Sequence, residues 1–143
     1  MEAATITEVL GGVEVIHTKI QSRMDLIELS NEGITKDALL RLVNYLNLSI
    51  SQMAKLIAIT ERTIQRYTLK KPFNRVVSEQ ILQIAEVAAR GTNVFEDKEK
   101  FLSWIHQPSK ALGDKTPMSL LSSRFGTEMV LDELGRIEHG IFS

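Results

Sequence analysis

An all-α fold is what this sequence predicts, and three observations predict it. From Thr35 onward apolar residues recur at helical spacing, and hydroxyl-bearing capping residues stand immediately before those stretches. Pro72, Pro108, Gly113 and Pro117 mark the breaks between them. Residues 1–30 are weakly patterned: Ile16, Ile20 and Ile27 suit a helix, while Leu26-Ile27-Glu28-Leu29 also reads as one short strand near the N-terminus. Asn31-Glu32-Gly33 is a turn signal.

Each later element follows from its local chemistry. Thr35 caps a helix carrying Leu39, Leu40, Leu42, Val43 and Leu46, which ends at Asn47-Leu48. Ser49-Ile50-Ser51-Gln52 fits a capping box and opens a short helix that buries Met53, Ala54, Leu56 and Ile57. Ala58-Ile59 breaks it, and Thr60 caps the next helix, expected from Glu61 to about Leu69. A longer helix is expected from about Ser78 to Ala89, closed by Gly91-Thr92-Asn93. Another carries Phe101, Leu102, Trp104 and Ile105 between Lys98 and Ile105, with Phe101 and Trp104 read as core. Residues 117–124 form a short helix, and Thr127 caps a last one that runs to about Glu138.

Composition narrows the function classes. A chain of 143 residues suits one medium domain or two small ones sharing a core, and 43% apolar with 24% charged residues excludes wholesale disorder. There is no cysteine, which removes disulfides, thiolate catalysis and cysteine-held metals; His17, His106 and His139 lie too far apart for a ligand set, so no metal and no cofactor is expected. No apolar run of about 18 residues exists to cross a membrane, and Met1-Glu2-Ala3-Ala4 lacks a signal peptide's basic start, which together predict a soluble cytoplasmic protein. No nucleophile–base pair, carboxylate dyad or glycine-rich phosphate loop stands at useful spacing, so an enzyme is not expected. Net charge is −1 but unevenly spread. Residues 49–75 hold Lys55, Arg62, Arg66, Lys70, Lys71 and Arg75 against Glu61 alone, whereas residues 126–143 hold Glu128, Asp132, Glu133 and Glu138 against Arg136. A local basic patch is what phosphate contact requires.

Residues 49–69 meet the requirements of a helix-turn-helix. Ala54 is small where the two helices must approach, Ile59 plugs the turn, and Thr60 starts the second helix. With Ile64 and Tyr67 or Thr68 turned to the core, Glu61, Arg62, Thr63, Gln65 and Arg66 point outward. Arginine can pair with guanine O6/N7, glutamine with adenine N6/N7, and threonine with phosphate or a thymine methyl. Ala58 stands where such turns often use glycine for a left-handed backbone, which costs about 1 kcal/mol or calls for another turn shape. A single copy would bind weakly, so a homodimer on a palindromic site is expected. The same residues also fit an ordinary helical hairpin with a solvated basic face.

The chain finishes on Arg136-Ile137-Glu138-His139-Gly140-Ile141-Phe142-Ser143, an apolar end where a frayed tail would be polar. Ile141 and Phe142 are therefore either tucked into the chain's own core or offered to a partner.

An ordered set of short motifs goes further. Gly33-Ile34-Thr35, Arg62-Thr63-Ile64-Gln65-Arg66, Val94-Phe95, Phe101-Leu102-Ser103-Trp104-Ile105, Pro108, Leu112-Gly113, Thr116-Pro117, Leu120-Leu121, Gly126, Leu134 and the terminal Arg136–Phe142 together resemble the Xre/MbcA/ParS group of antitoxins over about residues 33–143. The resemblance implies an Xre-like helix-turn-helix half packed with a C-terminal toxin-binding module. It divides the chain into an N-terminal extension (1–32), a DNA-binding domain (33–92) and an antitoxin domain (93–143). It also implies the partners: a RES-domain toxin that consumes NAD⁺, operator DNA, and a second copy of the chain within a larger toxin–antitoxin complex. On this reading Thr60, Arg62, Thr63, Gln65, Arg66 and Lys70 bind DNA, so that the dimer represses its own operon. Arg136, Ile137, Glu138, His139, Gly140, Ile141, Phe142 and Ser143 block the toxin's active site, with the acidic residues complementing a basic pyrophosphate pocket and Ile141-Phe142 filling an apolar one. Two positions depart from the group: Glu96 and Asp114 stand where glycines are common, which questions local turn geometry. A stand-alone dimeric transcription regulator is the alternative, and a pure protein-interaction module a third.

Overall fold

The computed structural model describes residues 3–140, and among them the fold is all helical, with two isolated β-bridges (Thr35–Pro72 and Ser109–Lys115) as the sole extended pairings. The α-helices are α1 (Ile6–Val9), α2 (Arg23–Glu32), α3 (Lys36–Tyr45), α4 (Ile50–Leu56), α5 (Glu61–Arg66), α6 (Arg75–Phe95), α7 (Lys98–Ile105) and α8 (Arg124–Gly140). Two 3₁₀ turns, Lys110–Leu112 and Met118–Ser122, lie between α7 and α8.

The caps foreseen from sequence are in place. Thr35 accepts from the Ala38 amide at 3.3 Å, Ser49 and Gln52 close a reciprocal capping box, and Thr60 accepts from the Thr63 amide at 3.1 Å. Leu26–Leu29 is helix rather than strand. Ser22 and Asp25 form a second capping box that starts α2, and Leu29 and Ser30 turn inward from it.

Four boundaries move, and the first is the start of α6, which begins at Arg75 ahead of the expected Ser78 because the Asn74 side chain caps it, accepting from the Val77 amide. The sequence closes the sixth helix at Gly91-Thr92-Asn93, yet α6 runs on to Phe95. Gly91 is there for contact, because a Cβ at this position would stand 2.1 Å from Cε1 of Phe101. The fifth helix stops at Arg66 instead of near Leu69, because Tyr67 turns extended (φ −75°, ψ 141°) and the following chain pairs elsewhere. The last helix starts at Arg124, before Thr127. Ser123 caps it by accepting from the Gly126 amide at 3.1 Å, while the buried Thr127 hydroxyl donates back to the Ser123 carbonyl at 2.9 Å.

The 21-residue α6 is the axis of the molecule. Its buried face (Val77, Ile81, Ile84, Ala85 and Ala88 among others) is covered in turn by α1, α2, α7 and α8. Helix α8 runs alongside it in the same direction: Gln80 donates to the Leu121 carbonyl near the start of α8, and Gly135 lies against Arg90 near its end. Residues 106–123 make the return that this parallel arrangement demands. His106 supports it, its Nε2 lying 2.7 Å from the Leu46 carbonyl, which ties the end of α7 to the end of α3.

One hydrophobic core joins Val9, Leu10, Ile16 and Leu29 to Leu39, Leu42, Met53, Ile64, Phe101, Leu121 and Leu134. Residues before 33 are therefore built into it, and Asn93 clasps Ala4 with two hydrogen bonds of 2.7 and 2.9 Å. The boundary between 92 and 93 falls inside α6.

Candidate nucleic-acid and protein interfaces

Helices α4 and α5 with the turn between them make the first candidate surface. Ala54 is buried where they meet, and its carbonyl accepts from the Ile59 amide at 3.1 Å. Ala58 keeps the left-handed backbone of the turn, with φ 57°. Ile64 is the buried member of α5, and this fixes the helix's rotation. Arg62, Gln65 and Arg66 consequently share the exposed face, three and four residues apart, with Glu61 beside them. Thr60 and Thr63 are tied together at the leading end by a 2.8 Å hydroxyl–hydroxyl hydrogen bond. Thr63 is half-buried rather than outward, which leaves its hydroxyl on the cap.

Lys70 lies apart from that face, exposed on a tight turn closed by the Lys71 amide donating to the Thr68 carbonyl at 3.1 Å. The ion pairs among the described residues involve Arg23, Arg41, Arg75, Arg124 and Arg136, and Lys55, Arg62, Arg66 and Lys70 stand outside them, exposed to an outside anion. The basic cluster is smaller than its sequence count suggests. Arg75 pairs with Glu79 at 3.6 Å, and the Lys71 ammonium sits 4.4 Å from the centroid of the Tyr67 ring.

What holds α5 in place is a residue that sequence reading missed. Lys36 donates from Nζ to the Tyr67 carbonyl at 2.9 Å and approaches the Gln65 carbonyl at 3.5 Å, placing a cation at the C-terminal end of α5. The strap behind it is laced to the start of α3. The Asp37 amide donates to Leu69, Lys36 to Lys71 and Phe73 to Ile34, at 2.9, 3.3 and 2.8 Å. Tyr67 stacks on Phe73 with ring centroids 4.5 Å apart. No local signal announces Lys36, because its partners lie 29 and 31 residues along the chain.

The second candidate surface is the far end of α8. Arg136, Glu138, His139 and Gly140 are exposed and Ile137 is half-buried, so the final turn of the helix projects from a buried stem of Val130, Glu133 and Leu134. Ile141, Phe142 and Ser143 lie outside the described residues. The acidic character expected here is partly consumed internally. Glu133 is only 8% exposed and meets Arg136 at 3.4 Å, and Glu128 meets Arg124 at 3.2 Å. Asp132 and Glu138 stay exposed.

Both surfaces have counterparts among known proteins. Residues 25–86 match the antitoxin Xre-like helix-turn-helix domain, and residues 90–140 match the antitoxin Xre/MbcA/ParS C-terminal toxin-binding domain. The chain is 30% identical over 115 residues to an "Antitoxin Xre" of Photorhabdus laumondii, covering 79% of this chain and 78% of the relative. Identity to an "Antitoxin Xre" of Yersinia enterocolitica is 29% over 120 residues, covering 82% of this chain and 81% of the relative. A "Prs ADP-ribosylating antitoxin" of a Sphingobium species is 25% identical over 132 residues, covering 85% and 83%.

Proposed function

From a chain that belongs to the Xre/MbcA/ParS family of antitoxins, we infer a two-ended protein that neutralises an NAD⁺-consuming RES-domain toxin with one end and represses its own operon with the other. The observation that carries the first half is the toxin-binding domain match over residues 90–140, which runs to the last described turn of α8. Arg136–Ser143 enters the toxin's active site from there. Asp132 and Glu138 meet the cationic groups that a pyrophosphate pocket must contain, and Ile141 and Phe142 serve as the apolar anchor. The Sphingobium relative's name supports the NAD⁺ assignment, because ADP-ribosyl transfer draws on that dinucleotide.

The other end reads DNA as a homodimer. Arg62, Gln65 and Arg66 contact base edges from α5, Thr60 and Thr63 sit at its leading end near the backbone, and Lys55 and Lys70 meet phosphates. A helix of six residues presents few contacts, and this supports a paired, two-fold arrangement on a palindromic site.

The deciding experiment measures cellular NAD⁺ after induction of the toxin, in the presence of the full chain or of residues 1–135. NAD⁺ held by the full chain and lost with the shortened one is the expected result. An equal fall in both means that the chain does not neutralise that toxin, and a stand-alone dimeric regulator then explains α5 better.

A further inference from the structure

We propose that the exposed Phe125–Met129 stripe of α8 is a docking surface for the toxin body, which seats an apolar recess of that protein and so presents the Arg136–Ser143 segment to its pocket. The proposal rests on the toxin-neutralising reading above. Phe125 is 80% exposed and Met129 47% exposed. They stand four residues apart on one face of the helix, opposite the buried line of Gly126, Thr127, Val130 and Leu134. A phenylalanine ring offers roughly 150–250 Å² of surface, and an unbranched methionine adapts to irregular surfaces, so the pair is the sort of anchor that interfaces use.

The exposure is built in. At Gly126 a Cβ would fall 1.9 Å from the Leu120 carbonyl oxygen, so this turn of α8 is pressed onto the preceding 3₁₀ turn. The Thr127–Ser123 hydrogen bond pins the same turn. Helix α8 therefore cannot roll to bury Phe125, whose neighbour on the chain is already in contact with backbone. Polar groups flank the stripe: the Arg124–Glu128 pair at 3.2 Å on one side and exposed Asp132 one turn beyond Met129. Such a rim excludes water from an apolar centre once a partner closes over it.

Place argues for the toxin as occupant. Both residues fall inside the toxin-binding domain, and Met129 precedes Arg136 by seven residues on one continuous helix, about 10 Å along its axis. Among the described residues the other large exposed hydrophobic side chains lie outside that domain: Met24 and Ile27 on α2, Val76 at the start of α6, Leu69 beside α5 and Val13 between α1 and α2.

The test titrates the full-length chain against the toxin of its own operon, using wild type, Phe125→Ala, Met129→Ala and, as a control on another face, Ile27→Ala. Molar mass by light scattering and affinity for promoter DNA are followed alongside. Phe125→Ala is expected to weaken toxin affinity by about 30-fold, the loss typical of a hot-spot residue. Met129→Ala is expected to cost several-fold, while Ile27→Ala, molar mass and DNA affinity stay unchanged. Toxin affinity within twofold of wild type for Phe125→Ala overturns the proposal, as does a fall in the free chain's molar mass, which would make the stripe a self-association face. Where residues 1–135 lose the toxin and Phe125→Ala keeps it, the tail acts alone and only the stripe is rejected. A wild-type chain that does not bind the toxin rejects both readings.

Discussion

Five residues carry most of the local lessons. Gly91 faces the Phe101 ring, and an added methyl group has nowhere to go. Gly91→Ala is expected to destabilise the fold by about 1–3 kcal/mol, read as a lower urea midpoint with unchanged slope. Ala58, Glu96 and Asp114 form a contrasting set, with φ of 57°, 56° and 64°. Where sequence reading marked missing glycines, the backbone keeps the left-handed conformation and the side chain bears the strain. Ala58→Gly should therefore add about 1 kcal/mol of stability without moving α5, so the thermal midpoint rises by a few degrees and DNA affinity stays the same. At Arg66 the readout is recognition. Arg66→Ala is expected to cost about 1–3 kcal/mol of promoter binding, measured by anisotropy at fixed salt, with toxin affinity intact. Unchanged DNA affinity would remove Arg66 from the recognition face.

At the scale of elements, α5 is held from outside. Six residues cannot sustain a helix alone, so its position depends on the Thr60 cap at one end and Lys36 at the other. Lys36 and Lys70 are both cations close to α5 in the chain's fold or sequence, yet they should behave differently. Lys70→Ala is expected to lower the slope of log affinity against log salt by about one, as a lost phosphate contact does. Lys36→Met should weaken binding several-fold with the slope unchanged, because the lysine is spent on two carbonyls of this chain. A drop in slope for Lys36→Met would instead make it a phosphate ligand. Helix α8 has its own division of labour: Val130, Glu133 and Leu134 anchor it, and the turn from Arg136 onward projects. Cutting after 135 removes the last turn of α8 and the arginine partner of Glu133 but leaves the buried stem, so the shortened chain should keep nearly all of its helical circular dichroism and its DNA affinity. Loss of either would turn the tail into a folding element.

For the whole molecule the decisive fact is a single core. Apolar residues from α1 to α8 touch one cluster, and α6 belongs to both functional halves. Unfolding should therefore be one cooperative transition despite the two matched domains. The single tryptophan, Trp104, sits on α7 against Phe95 with ring centroids 5.6 Å apart and reports on the C-terminal half. Its fluorescence and the far-ultraviolet circular dichroism of the entire chain are expected to share one urea midpoint. Two separated midpoints would mean that the halves fold independently.

The sequence by itself determined the helical class, the capped starts of α3, α4 and α5, the helix-turn-helix and the antitoxin family. These rest on interactions three or four residues long, or on motifs whose order survives without knowledge of packing. Only the tertiary structure decided that α2 is a helix built into the core, that Gly91 is a contact and no terminus, that Lys36 holds α5, and that Phe125 faces outward. A glycine reads identically whether it ends a helix or admits an aromatic ring, and a lysine carries no mark of a partner some thirty residues away. Contacts of that kind exist only once the chain has packed, so no local pattern announces them.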